Sequence, residues 1–291
     1  MPSTYYVAWW NLENLFDEEN APRTDKLKRS IGKDLVGWTP ARRDRKISQL
    51  ASVIAQMNGA AGPDLLGVCE VENRAVVDLL VASVVARLPG RNYTVVHADT
   101  DDARGIDVAF IYDADLFEVP IDAVFFHVVM RRNATREIVQ VNFKTKAKQR
   151  TWAVFGNHWP SRSGGQLESA GYRHIAGETL GYFHERVIEV HGPATPALAM
   201  GDFNDEPFDA SLVTHALSER QRQKVVDGDN PYFWNLSWSV IGDPADGSFF
   251  YDSKPNLLDQ FLVNKNMCRQ DSPIRAKPDG GDPSLPWHLH G

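Results

Sequence analysis

The chain has 291 residues, of which 24% are charged, and its formal net charge is −7 at pH 7. This length suits one large α/β domain with a substantial core. The acidic balance argues against a protein that coats long nucleic-acid duplexes through bulk positive charge, and no apolar run approaches the roughly 20 residues that cross a bilayer.

Cysteine usage and the N-terminus favour a reducing compartment. Cys69 and Cys268 are the only cysteines, too few for a disulfide framework, and no Cys/His spacing resembles a structural zinc site. The N-terminus lacks the basic stretch, apolar run and small-residue cleavage site of a secretory signal. We therefore expect a cytoplasmic protein. No second-chain interface is readable, so a monomer is the default expectation.

Strand and helix signals alternate in the first 90 residues. Residues 5–10 form a β-prone run. Thr39 is a predicted N-cap and Pro40 the first residue of a helix. The apolar face of this helix is formed by Ile47, Leu50, Ala51 and Ile54. A second strand is predicted at residues 64–69 and a second helix at residues 73–88.

The middle of the chain is rich in strands, and the C-terminal half alternates again. Strands are predicted at residues 93–98, 107–112, 119–129, 137–144, 151–156, 196–200 and 256–263. Helices are predicted at residues 166–190 and 207–217, and residues 227–247 read as an irregular surface loop. Helices alternate with strands in the first and last parts of the chain, and strands follow one another in the middle. This pattern predicts an α/β (α+β) fold: a four-layered sandwich of two mixed β-sheets flanked by helices.

The most informative motif follows the strand at residues 196–200. Gly201, Asp202, Phe203 and Asn204 place a carboxylate and a carboxamide where a strand ends. We expect Gly201 to allow a sharp turn, with Asp202 and Asn204 on one side and Phe203 packed on the other. Alone, such a tetrad is more often an Asx turn that caps a helix.

Four other apolar runs lead into or enclose a polar residue. They present Asn11, Glu70, the pair Asn157 and His158, and Asp259. Singly, each has a structural interpretation as a cap, a core histidine or a partner of a structural arginine. An acid such as Asp259 inside an apolar strand needs a partner or a metal to offset its desolvation. Five such positions together predict one polar centre.

These motifs resemble the endonuclease/exonuclease/phosphatase superfamily. The matching blocks, in the right order over almost the whole chain, are residues 10–17, 70–73, 104–109, 157–162, 201–205 and 258–261. The blocks are most similar to a bacterial branch of the superfamily. The resemblance implies a single domain over residues 1–291 and hydrolysis of phosphoesters with a divalent metal.

The resemblance also implies a role for each polar residue of the centre. Glu70 and Asn11 would hold the metal, Asp202 would orient or deprotonate the attacking water, and Asn204 would hold a phosphate oxygen and the nucleophile. His158 would stabilise or protonate the developing phosphorane and the leaving group. Oxygen ligands favour a hard cation, so Mg²⁺ is expected, with Mn²⁺ as a substitute.

Four further residues complete the predicted site. Asp259 matches the family acid that orients a final histidine, and Asn157 adds a carboxamide to the catalytic set. Arg104 and Arg162 are the substrate-binding candidates. The basic runs at residues 42–46, 131–132 and 144–150 could add nucleic-acid contacts, although such runs are usually solvated faces. Trp9, Trp10, Trp159, Trp234 and Trp238 could stack on bases, although core packing is commoner.

The end of the chain departs from the family pattern. Members usually finish with Ser-Asp-His followed by a strand, and this chain lacks that triplet. Either the final strand is missing, which we favour, or His288 or His290 substitutes for the family histidine. A nuclease acting on nucleic acid or another phosphodiester is the first expectation. The alternatives are a phosphatase or phospholipase acting on a small or lipid phosphoester, and a catalytically impaired binding module.

Overall fold

The computed structural model describes residues 4–97, 100, 105–130, 135–242, 247–269, 271 and 274–276. The strands are β1 (Val7–Leu15), β2 (Leu65–Val71), β3 (Tyr93–His97), β4 (Asp107–Asp113), β5 (Phe117–Glu118), β6 (Val124–His127), β7 (Ile138–Thr145), β8 (Thr151–His158), β9 (Ala197–Asp202), β10 (Ser218–Glu219), β11 (Phe233–Asn235), β12 (Phe249–Tyr251), β13 (Lys254–Asn256) and β14 (Asp259–Asn264). The α-helices are α1 (Asp25–Ile31), α2 (Pro40–Ala60), α3 (Arg74–Val85), α4 (Gln166–His191), α5 (Arg222–Asp227) and α6 (Lys265–Cys268).

Most of the strands form two mixed sheets. The first has the order β1-β2-β4-β3, with β1 and β2 parallel and the other pairs antiparallel. The second has the order β10-β11-β14-β9-β8-β7-β5, and β6 also pairs with β7. In that sheet β8 and β9 are parallel, whereas β9 and β14 are antiparallel. Strands β12 and β13 form a separate hairpin.

Three apolar clusters hold four layers together. The central cluster joins the two sheets through side chains such as Trp9 and Phe110 from one and Val154 and Met200 from the other. A second cluster packs α2 and α3 on the outer face of the first sheet. A third packs α4 on the outer face of the second sheet. This arrangement confirms the predicted four-layered sandwich.

The helix that begins at Thr39 is also confirmed. The Thr39 hydroxyl accepts a hydrogen bond from the backbone N–H of Arg42 at 3.4 Å, and Pro40 occupies the first turn. All four residues of the predicted apolar face are buried. Regular helical geometry ends before Met57, because residues 57–59 have non-helical dihedral angles. None of the helices in the described parts of the chain is long and apolar enough to cross a membrane.

Three predicted elements differ from the structure. Residues 119–129 do not form one strand, since β5 and β6 flank a turn there. Residues 207–217 contain only one short π-helical segment, Ser211–His215. The predicted surface loop at residues 227–247 includes β11, because Phe233 is buried and its strand pairs with β14. Composition alone suggested a loop, and tertiary packing overrode it.

A buried histidine on α4 makes stability depend on pH. His184 is 1% exposed and stacks on Phe233, with 4.1 Å between ring centroids. Burial lowers the pKa of His184 from 6.5 to about 4. The unfolded chain therefore binds more protons than the folded chain between these pH values. His184 consequently costs stability as the pH falls through that window.

We expect His184→Phe to lose less stability on acidification than the wild type. Phenylalanine keeps a ring on Phe233 but has no proton to bind. Urea unfolding at pH 7.0 and pH 4.5 should show the wild type losing about 2 to 3 kcal/mol more than the variant. The exposed His191, at the end of the same helix, provides the control variant His191→Asn. Equal losses in wild type and His184→Phe would contradict this account of His184.

Candidate active site

Three neighbouring strands of the second sheet place a histidine and two acids in one row. His158 is the register partner of Asp202 in the parallel pair of β8 and β9. Asp202 is in turn the register partner of Asp259 in the antiparallel pair of β9 and β14. Side chains at paired positions project from the same face of a sheet. Residues distant in sequence, predicted separately, therefore lie side by side.

The first sheet contributes residues that contact this row. The Asn11 carboxamide nitrogen donates a hydrogen bond to the Asp202 carboxylate at 3.1 Å. The Trp9 indole N–H donates to the Asp259 carboxylate at 2.9 Å. Glu70 Oε1 lies 3.6 Å from His158 Nε2. The site is thus an edge where the two sheets meet, and each sheet supplies part of it.

Carboxylates dominate the electrostatics of this edge. Burial raises the pKa of Asp202 to about 6, with a further upward contribution from Glu70, while hydrogen bonds from the Asn204 backbone and Asn11 act in the opposite direction. Burial, and then the charge of Asp202, raise the pKa of Asp259 well above its ordinary value. Hydrogen bonds from Ser248 and Trp9 offset part of this rise. Burial and neighbouring carboxylates thus raise the pKa values of both aspartates, and the hydrogen bonds offset only part of the rise.

Backbone strain coincides with two of the predicted site residues. Glu70 has φ 61° and Asn204 has φ 51°, both in the left-handed region that residues other than glycine seldom adopt. The pairing of β2 with β4 shifts register between Cys69 and Val71, so Glu70 lies in a bulge. Such a bulge aims a side chain away from the regular sheet. Strained residues of this kind cluster at functional sites.

Gly201 has a different role from the one predicted. The sharp turn occurs at Asn204, and Gly201 lies inside the regular strand β9. A Cβ atom at Gly201 would lie 2.3 Å from the backbone oxygen of Asn157, so glycine is required for the close approach of β8 and β9. Phe203 packs on Trp159 as expected, with ring centroids 4.8 Å apart.

Asn157 lies beneath the site rather than in it. It is fully buried, and its carboxamide nitrogen donates to the backbone oxygens of Phe155 and Met200 at 3.2 and 3.3 Å. Its carboxamide oxygen accepts from the Trp159 indole at 3.0 Å. These bonds occupy the side chain in this structure, and the catalytic role of Asn157 stays a prediction. Trp9 and Trp159 are also buried and cannot stack on a base.

Arg162, which was predicted to bind substrate, makes four hydrogen bonds within the protein. Its guanidinium donates to the backbone oxygen of Asn204 at 2.6 Å, to Asp209 at 2.9 Å and to Asp205 at 3.2 Å. It also donates to the Asn256 carboxamide at 3.3 Å. Arg162 therefore clamps the turn that carries Asn204. Arg104, His288 and His290 lie outside the described residues.

The donor set at this edge fits a hard divalent cation. Asn11 pairs with Cys69 in the parallel register, which places it beside Glu70 on the neighbouring strand. Among the described residues, no three acid, histidine or cysteine side chains form a closed metal cluster. Mg²⁺ needs none, since it keeps several waters and takes one or two protein carboxylates plus substrate phosphates. A cation bound beside Asp202 and Asp259 would favour their ionised forms, which burial disfavours.

Sequence reasoning gave four residues around the site no role there, although it named Trp9 as a possible stacking residue and Lys46 as part of the basic run at residues 42–46. Ser248 caps the backbone N–H groups of Leu258 and Asp259 at 2.9 Å each. The other three are Trp9, Lys46 and Arg136. Arg136 is buried, and its charge lowers the pKa of Asp202. None of the four belongs to a motif, and each acts through a contact that only the folded chain creates.

Comparisons with known proteins identify the family and the fold of the chain. The sequence profile described as "Endonuclease/Exonuclease/phosphatase family" matches residues 6–277. No curated protein matches the chain significantly. Solved structures share the fold at low identity. An endonuclease/exonuclease/phosphatase family protein from Bacteroides thetaiotaomicron is 20% identical, with 91% of this chain and 84% of that chain covered and a TM-score of 0.53.

Two further solved structures have more specific names. A mannosyl-6-phosphatase from Bacteroides thetaiotaomicron is 20% identical, with 90% of this chain and 85% of that chain covered and a TM-score of 0.53. Truncated TDP2 from Caenorhabditis elegans is 14% identical, with 91% and 85% covered and a TM-score of 0.54. Identity this low supports the fold alone, whereas the profile match spans most of the sequence. The chain belongs to the endonuclease/exonuclease/phosphatase family.

Proposed function

We propose that the protein is a divalent-metal-dependent phosphodiesterase that acts as a nuclease of the endonuclease type. The observation that carries this proposal is the contact of Asn11 on one sheet with Asp202 on the other, beside the row of His158, Asp202 and Asp259. This contact brings Asn11, a candidate metal ligand, to the edge that holds the candidate base Asp202 and the His158 imidazole. Family membership supports phosphoester hydrolysis as the reaction.

The side chains have distinct roles in this mechanism. Asp202 accepts a proton from the attacking water, and Asn11 and the Asn204 backbone hold its carboxylate in place. His158, whose imidazole lies 3.6 Å from the Glu70 carboxylate, donates a proton as charge develops on the phosphoryl group and leaving oxygen. Mg²⁺ or Mn²⁺ held by Glu70 and Asn11 would supply positive charge to the phosphoryl oxygens.

An exposed aromatic hairpin favours a substrate that carries bases. Phe249, Phe250 and Tyr251 of β12 are 49%, 54% and 73% exposed. The hairpin is tied to the site at both ends, because Ser248 caps the Asp259 backbone and Asn256 accepts a hydrogen bond from Arg162. Exposed aromatic side chains beside a phosphodiester site are suited to stack on unpaired bases. We therefore place single-stranded nucleic acid first among the substrates.

Phosphatase action is the second candidate. The net charge of −7 opposes long polyanions and favours a small phosphoester. Arg162, which would otherwise be a phosphate ligand, is already paired with acids. A structural neighbour named as a mannosyl-6-phosphatase shows that this fold carries such an activity. A sugar 6-phosphate and a lipid phosphodiester therefore belong in the assay beside DNA and RNA.

Glu70→Gln and Asp202→Asn should each lower Mg²⁺-dependent cleavage of single-stranded DNA by at least about 100-fold. Each variant removes one charge and keeps the side-chain size, so circular dichroism should remain unchanged. Asp122→Asn, an exposed acid in the turn before β6, should retain wild-type activity. Wild-type rates in either site variant would refute its assigned role. Metal binding by a wild-type chain that cleaves no substrate would instead support an impaired binding module.

Replacing Phe249, Phe250 and Tyr251 together with alanine should lower kcat/KM for single-stranded DNA by about 10-fold or more. An oligonucleotide with the same phosphodiester backbone but abasic sites throughout should be cleaved equally by this variant and the wild type. Comparable losses on both substrates would show that the hairpin maintains the site rather than binding bases.

Arg162→Lys should lower the free energy of unfolding by about 2 kcal/mol, because lysine cannot reproduce the fork that joins Asn204, Asp205 and Asp209. Urea unfolding and steady-state kinetics on the same preparation measure the effect, and kcat should fall with stability. A raised KM with unchanged stability and kcat would contradict the clamp and restore Arg162 as a substrate ligand. Arg150→Lys, the same exchange at an exposed position in the β7–β8 turn, is the matched control and should unfold as the wild type does.

A further inference from the structure

Lys46 connects the outer helix α2 to the end of strand β1. Its ammonium donates a hydrogen bond to the backbone oxygen of Glu13 at 2.6 Å and lies 3.5 Å from that of Asn14. The residue belongs to the basic run at residues 42–46, but it is half-buried, whereas its neighbour Arg45 is exposed. Lys46 is therefore not an ordinary solvated lysine of that run.

The backbone that Lys46 holds is strained. Glu13 and Asn14 have φ angles of 51° and 62°, two successive left-handed residues of which neither is glycine. The pairing of β1 with β2 shifts register in the same segment, between Asn11 and Leu15. Such a conformation persists only where surrounding contacts enforce it. A charged donor on the two carbonyl groups is a contact of this kind.

The strained segment in turn fixes Asn11. The Glu13 backbone N–H donates to the Asn11 carboxamide oxygen at 2.9 Å, and the Asn11 carboxamide nitrogen donates to Asp202 at 3.1 Å. The Glu13 backbone thus accepts a hydrogen bond from Lys46 through its carbonyl oxygen and donates one to Asn11 through its N–H. The charges of Glu13 and Glu70 both act on the Lys46 ammonium and raise its pKa, against a larger downward effect of burial.

We propose that Lys46 is a positioning residue for the metal site: it holds the left-handed turn at Glu13 and Asn14, and this turn orients the Asn11 carboxamide, which contacts Asp202 and would help to hold the cation. This inference rests on the proposed function, because it takes Asn11 and Glu70 as the cation ligands. The direction in which cation affinity changes when Lys46 is replaced separates two possible effects. Removing a positive charge near Glu70 would by itself strengthen cation binding, whereas loss of the turn weakens it.

Binding of Mn²⁺ to the full chain tests this inference, measured by the electron paramagnetic resonance signal of free Mn²⁺. Lys46→Met should bind Mn²⁺ about 10-fold more weakly than the wild type, the loss typical of an outer-shell partner. Lys46→Arg should recover most of the affinity, because a guanidinium can donate to the same carbonyl groups. Arg45→Met removes a charge from the same helix and should bind as the wild type does.

Unchanged or tighter Mn²⁺ binding by folded Lys46→Met would overturn the inference and leave the proposed function intact. Absence of Mn²⁺ binding in the wild type would overturn both. If circular dichroism shows that Lys46→Met does not fold, Lys46→Gln decides by the same criterion, since its shorter amide cannot hold both carbonyl groups. A second readout is the Asn11 side-chain amide resonance, which should shift in Lys46→Met without metal and return toward its wild-type position in Lys46→Arg.

Discussion

The hydrogen bond from Asn11 to Asp202 joins the two halves of the site, and the arrangement of the molecule around it depends on how the sheets meet. Asn11 belongs to the first sheet and Asp202 to the second, and 190 residues separate them in the chain. The central core of aromatic and aliphatic side chains sets the distance between these sheets. Packing deep in the molecule therefore controls whether the two side chains can touch.

The same edge concentrates negative charge in a partly desolvated place. Burial and the charge of Glu70 raise the pKa values of Asp202 and Asp259, and the charge of Asp202 raises that of Asp259 further; the packing of the four layers offsets the cost of burying these groups. Hydrogen bonds from Trp9 and Ser248 hold the Asp259 carboxylate in place without neutralising it. A site that binds a cation and a phosphate needs this imbalance, because full internal pairing would leave no affinity for the cation.

Around the carboxylates, structural residues keep a strained backbone in place. Arg162 clamps the turn at Asn204, and Lys46 holds the turn at Glu13. Both basic side chains donate hydrogen bonds to backbone oxygens beside the site. Basic residues in this family member thus serve local geometry, which agrees with its acidic overall charge.

The sequence by itself determined the layered fold and most of the central residues. Alternating strand and helix patterns follow from local periodicity, so the helix at Thr39 could be predicted, and His158, Asp202 and Asp259 were named as site candidates from their motifs and the family resemblance. Only the tertiary structure decided that Asn157 lies beneath the site, that Arg162 is a clamp, and that Trp9, Ser248 and Lys46 support it. The reason is physical. Local propensity reports on neighbours in the chain, whereas these roles arise from contacts between residues that become neighbours only when the two sheets pack together.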